Sequence, residues 1–130
     1  MKYPILFCVM LLSVICYSQS AAQLPIYRVV EVMPQFPGGK VAMDSFITHT
    51  LKYPRIAREK QETGRVVIEC VVDTDGLLTD IAVKTSVIQR LDDEALRIVN
   101  LMPDFSPGKL KGKPVRVIQN IPVEFVLPKD

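Results

Sequence analysis

Between Gly64 and Ser86 apolar and polar residues alternate in two runs. Val66, Ile68, Cys70 and Val72 are set against Arg65, Glu69 and Asp73, then Leu77, Thr79, Ile81 and Val83 against Asp80, Ala82 and Lys84. A period of two marks strands with one buried face, and Asp73-Thr74-Asp75-Gly76 between the runs predicts a β-hairpin whose turn takes positive φ angles at Asp75 and Gly76. A third alternating run, Val115 to Leu127, sets Val115, Val117, Ile121, Val123, Phe125 and Leu127 against Arg116, Asn120 and Glu124. Pro122 in its middle cannot donate to a ladder, so this strand lies at a sheet edge or carries a bulge.

The other patterns are helical. Met43, Phe46, Ile47, Thr50 and Leu51 form the stripe of an amphipathic helix over Lys40 to Leu51. Pro54 suits the first position of a short helix ending near Glu62, with Gly64 as its stop. Leu91, Ala95, Ile98, Val99 and Met102 form the apolar face of a third helix, with Asp92 as its expected N-cap and Pro103 ending it. Tyr27, Val29 and Val30 can form a short edge strand, Pro37-Gly38-Gly39 is a turn, and Met102 to Pro114 reads as a loop. These elements predict an α+β fold: a three-stranded antiparallel sheet, order 2-1-3, in which the hairpin's first strand is central, the last strand lies on its free side, and the helices pack on one face.

Composition narrows this to one domain. The chain has 130 residues, 48% hydrophobic and 23% charged, within the range of an ordinary globular domain. Lys2, the apolar run from Ile5 to Tyr17 and the small residues Ser18 to Ala22 have the form of a secretory signal cut after Ser20 or Ala22. We therefore expect residues 1–22 to be a signal peptide and 23–130 the mature domain. The run is short for an uncleaved membrane anchor, which needs about 20 apolar residues, and Ile15 is too large to precede a lipidated Cys16. Cleavage leaves Cys70 as the lone cysteine, on the inward face of its strand, where it reads as a small buried hydrophobe. Sixteen basic residues, Lys2 among them, nearly balance fourteen acidic ones, so no field that would gather nucleic acid is expected. Lys109, Lys111 and Lys113 read as a solvated loop.

Motifs with a chemical look mostly dissolve on inspection. Placing Gly76 at the sixth position of a calcium loop puts Val71 and Ala82 where oxygen ligands belong. His49 is the only histidine, off its helix's apolar stripe, and Gly38-Gly39 lacks the spacing of a phosphate loop. No nucleophile elbow, zinc motif or paired Cys-x-x-Cys is present. The expectation is a protein that is not an enzyme, with no catalytic residue, no metal and no cofactor. A small sheet with an open edge instead suits a binding module that takes an extended peptide as an added strand, although Arg116, Pro122 and Glu124 are also residues that blunt an edge.

Several segments in order resemble a known family. Tyr53-Pro54 with Ala57, Gly64 to Ile68 running into Asp73 to Gly76, Leu91-Asp92 with Glu94-Ala95-Leu96, Pro107-Gly108-Lys109, and Pro114 to Val117 through Pro122 to Phe125 are together similar to the TonB C-terminal domain. Glu31 to Gly39 resembles an extension found in Bacteroidetes-type members of this energy-transducer family. The resemblance implies a periplasmic domain that binds the TonB box of TonB-dependent outer-membrane receptors by strand addition to its last strand, in support of energised nutrient import. The partner-binding residues it implies are Tyr53, Pro54, Arg116, Val117, Ile118, Gln119, Asn120, Ile121, Val123 and Phe125. A complete transducer also has a membrane helix and a long spacer. Gln23 to Val30 is too short for that spacer, so receptor binding is expected here and contact with the inner-membrane motor is not. The alternative is a structural or assembly module of the envelope that pairs through its edge strand, as a homodimer or with another protein.

Overall fold

The computed structural model describes residues 24–128; the expected signal segment lies outside them. The elements in chain order are β1 (Ile26–Tyr27), α1 (Gly39–Thr50), α2 (Arg55–Glu59), β2 (Gly64–Val72), β3 (Leu78–Thr85), α3 (Gln89–Asn100), β4 (Gly108–Leu110) and β5 (Lys113–Phe125). The sheet runs β1-β5-β2-β3, with β4 also paired to β5. The α+β architecture is the expected one, and the predicted order is kept at its centre, where β2 lies between β3 and β5. The sheet nevertheless has five strands rather than three. Its extra members are two and three residues long: the short edge strand expected around Tyr27 to Val30 is confined to Ile26–Tyr27, and β4 is too short to show alternation.

Alternation decided the long strands. Val66, Ile68, Cys70 and Val72 of β2 are fully buried, as are Val117, Ile121 and Val123 of β5. The two strands pair without a shift from Gly64↔Phe125 to Val72↔Val117. The β2–β3 pairing is less regular: its register shifts twice, between Val67 and Ile68 and between Glu69 and Val71, each time with an extra residue on β3. Asp80 in the second irregularity has φ 51°. Such bulges break the parity of a strand, so the residues packed on the core are Leu78, Ile81 and Val83, while Leu77 is exposed. In the β2–β3 turn only Gly76 has positive φ, at 90°. Its N–H donates to the Asp73 carbonyl at 2.9 Å and the Asp73 N–H to the Leu77 carbonyl at 2.8 Å.

A second hairpin occupies the expected loop. Lys111 and Gly112, with φ 52° and 76°, join β4 to β5 through the two-residue, doubly positive turn that matches strand twist. Lys109, Lys111 and Lys113 on it are all exposed.

The helices cover one face. Leu91, Ala95, Ile98 and Val99 of α3 join Met43 and Ile47 of α1 and Ala57 of α2 over the inward face of β2 and β5. The first helix is shifted by one residue, Gly39–Thr50 against the expected Lys40 to Leu51, and two other boundaries differ more. The second helix ends at Glu59 instead of Glu62, because Gln61 takes φ 55°, outside the helical region. The third begins at Gln89, so Asp92 is inside its first turn rather than at the N-cap. The Asp92 carboxylate accepts from the Ser86 hydroxyl and from the Val87 N–H, closing the turn that leads into the helix.

Candidate functional site

β5 carries eight of the ten residues expected to meet a partner, and its register sorts them. Val117, Ile121, Val123 and Phe125 point into the core. Their side chains are therefore closed to a partner, and in the unshifted ladder their backbone groups are the ones spent on β2. Arg116, Ile118 and Gln119 are half-buried and Asn120 is exposed. Tyr53 and Pro54 lie at the far end of the strand: the Tyr53 ring meets Phe125 edge-on at 5.7 Å and its hydroxyl donates to the Glu62 carbonyl. Tyr53 is thus a packing residue for the end of β5. Burial, and after it the Glu62 charge, pushes its phenol pKa up.

Backbone polarity defines the open side of β5. Pro122 is paired opposite Val67 and has no N–H to give. The ladder to β2 is complete only when Pro122 belongs to the set of residues whose backbone groups face away from β2. Ile118, Asn120 and Glu124 share that parity. Gln119 has the other, and its carbonyl accepts from the Cys70 thiol of β2 at 3.7 Å. Buried beside it, the Cys70 thiol is pushed up to about 11, first by burial and then by the Glu69 charge, which leaves it a neutral packing group.

Part of the outer edge is already taken. β1 runs parallel to β5, pairing Ile26 with Arg116 and Tyr27 with Val117. Arg116 Nη1 donates to the Leu24 carbonyl at 3.3 Å, and Asp73 and Asp80 lie 3.8 Å from its guanidinium. The outer edge is therefore not open along its whole length, as a last strand at the edge of a three-stranded sheet would be. Pairing with β1 stops at Val117.

Beyond that point the edge opens on a groove whose other wall is α1. Two adjoining hollows of about 270 and 450 Å³ share Lys40, Asp44 and Pro122. Phe36, Met43 and Phe105 line the first and Ile47 and Leu51 the second. Charge stands at the rim. Lys40 pairs with Asp44 at 3.0 Å on α1, and Arg65 with Glu124 at 2.5 Å across β2 and β5. Sequence reasoning missed the whole α1 wall, because an amphipathic stripe shows that a helix is docked and not which sheet edge it lies beside.

No group of three or more metal-ligating side chains exists among the described residues. None of their helices is long and apolar enough to cross a membrane.

A family model described as Gram-negative bacterial TonB protein C-terminal matches residues 49–127. Among solved structures, the chain is similar to an NMR solution structure of the Helicobacter pylori TonB C-terminal domain. Identity is 26%, the match covers 69% of this chain and 81% of that one, and the TM-score is 0.52. A shorter NMR structure of the same Helicobacter pylori domain matches at 23% identity over 69% of this chain and 95% of that one, with a TM-score of 0.50, a likeness of fold. No protein of curated function matches significantly.

Proposed function

Because the chain belongs to the TonB C-terminal family of Gram-negative bacteria, a family of non-enzymatic domains in TonB-dependent transport, we propose that it binds the TonB-box segment of outer-membrane receptors in the periplasm by strand addition to β5. The observation that carries this reading is the outer edge from Ile118 to Glu124, which no strand among the described residues pairs and which opens on the groove beside α1. An extended peptide there satisfies backbone groups that otherwise meet only water, and hydrogen bonding along the main chain supplies affinity without demanding one sequence. In this reading residues 1–22 are a signal peptide that delivers residues 23–130 to the periplasm.

Titration of the purified protein with TonB-box peptides tests the proposal. Saturable binding is expected, and its absence at about millimolar peptide, the loose end of ordinary affinities, rules it out. Ile118→Pro removes one outward donor and is expected to weaken binding in a variant that still folds. Sedimentation at several concentrations separates peptide capture from the assembly alternative, in which the same edge pairs with a second copy and the dimer dissociates on dilution.

A further inference from the structure

The family match begins at residue 49, yet the second wall of the groove is built almost entirely before it. α1 contributes Lys40, Asp44 and Thr48 to that wall. At spacings of four they form one row on the helix, about 12 Å long at 1.5 Å per residue. Such a row spans roughly four residues of an extended chain. It runs in the direction of β5: the end near Lys40 faces Gln119 and Asn120, and the Leu51 end faces Glu124 and Val126.

The structure also shows what kind of occupant the edge takes. β1 is an extended segment lying parallel on the same edge at Arg116 and Val117, and the residues that follow present outward backbone groups to which no strand among the described residues pairs. An occupant in line with β1 is another extended main chain. Its side chains alternate between the two faces of the sheet. The helices pack on one face only, so every second side chain turns toward α1 and the others toward the open face. The helix-facing ones meet an apolar floor at Phe36, Met43 and Ile47 below a charged rim. The Lys40–Asp44 ion pair at that rim is exposed and weak, so a charged peptide side chain can exchange places with one of its members at little cost.

We propose that α1 is the specificity wall of this site: Lys40, Asp44 and Thr48 select the side chains at the helix-facing positions of a peptide added to β5, and the intervening positions go unread. The inference rests on strand addition at β5 and goes beyond it, because the selecting residues lie outside the segment that matches the family.

A scan of a TonB-box peptide, with a lysine or a glutamate placed singly at successive positions, tests it against the purified protein and against the double variant Lys40→Glu/Asp44→Lys. The variant keeps an i,i+4 ion pair, so circular dichroism should be unchanged. Affinity is expected to rise and fall with a period of two along the peptide. At the sensitive positions the charge swap is expected to shift the preference toward lysine where position 40 of the variant is nearest, and toward glutamate where position 44 is nearest. The shift should be about two- to five-fold, the scale of one exposed ion pair, with the intervening positions unchanged. Amide NMR signals of Lys40, Asp44 and Thr48 should move during the titration along with those of Ile118 to Glu124. If peptides bind without alternation, or if the charge swap leaves the preferences as they were, the specificity wall is refuted and strand addition stands. If no peptide of the scan binds either protein, both fall together.

Discussion

Gly76 occupies a position no other residue can fill cheaply. Its φ is 90°, and a Cβ there would lie 1.9 Å from the Phe105 carbonyl oxygen, on a loop that the Phe105 N–H already ties to the Gly76 carbonyl at 2.8 Å. The left-handed conformation alone costs a side chain about 1–2 kcal/mol. The contact is with backbone, so relief requires the loop to move. We expect Gly76→Ala to lose about 3 kcal/mol or more in urea unfolding. Gly112 is the control: its φ is 76° but nothing lies within 4 Å of its Cβ position, so Gly112→Ala should lose only about 1 kcal/mol. Equal losses would mean that the Phe105 contact is not what fixes Gly76. Asp75-Gly76 was legible as a turn from local chemistry. The pressure from Phe105 was not, since it joins residues about thirty positions apart.

Among the elements, α3 is tied to the helices before the sheet by two carboxylates. Arg90 grips Glu62 with Nε at 2.5 Å and Nη2 at 2.9 Å. Glu94 accepts from Arg97 and, at 2.7 Å, from the Lys52 N–H, while Arg97 Nη2 reaches the Thr50 carbonyl at 2.8 Å. The Arg90 hydrogen bond is the main reason that the Glu62 pKa falls below the ordinary 4.5. At Glu94 burial acts upward, but the Arg97 and Lys52 hydrogen bonds outweigh it and the pKa is also lowered. A carboxyl with a depressed folded pKa stabilises the fold fully above its unfolded pKa, and that stability is lost as pH falls through the folded value. Stability is therefore expected to be flat near neutrality and to drop below about pH 4.5, as read by thermal melts from pH 7 to 3. Glu94→Gln should lower the neutral-pH melting temperature and flatten the acid limb. A variant whose acid limb keeps its slope would assign the acid sensitivity to other groups. From the sequence, Asp92 suggested a helix-end role and Glu94 announced no partner. The Arg97 partner is on the same helix, but the Lys52 amide and the Thr50 carbonyl come from a distant segment that no local pattern announces.

At the scale of the whole molecule, the folding unit of this chain is larger than the stretch that matches the family. Long elements with one buried face were legible because burial imposes a period. Segments held by distant partners were not, and residues 24–36 are the clearest case. Val32 bridges to Lys109, Gln35 to Ser106, and the Lys111 N–H donates to Glu31, yet the stretch has no periodicity of its own. Phe36 at its end is buried, with ring centroids 5.7 Å from Phe105 and 5.5 Å from Phe46, and α1 adds buried Met43 and Ile47. Each such side chain contributes about 1.5–3 kcal/mol by burial, so losing Phe36, Met43 and Ile47 removes an amount comparable with the roughly 5–15 kcal/mol net stability of a domain. A chain cut to begin at Leu51 should therefore lack a cooperative unfolding transition, even though it keeps nearly all of the family match. A chain cut to begin at Val29 loses, of the described residues, only 24–28, which hold the two-residue β1 and the exposed Leu24 and Ile26, and should unfold cooperatively at a midpoint close to that of the parent. Cooperative unfolding of the shorter chain would make the family stretch self-sufficient and reduce α1 to an appendage. Its failure, beside a sound longer chain, would mean that the helix lining the groove is also part of what holds β5 in place, so that the wall and the edge of the site form as one unit.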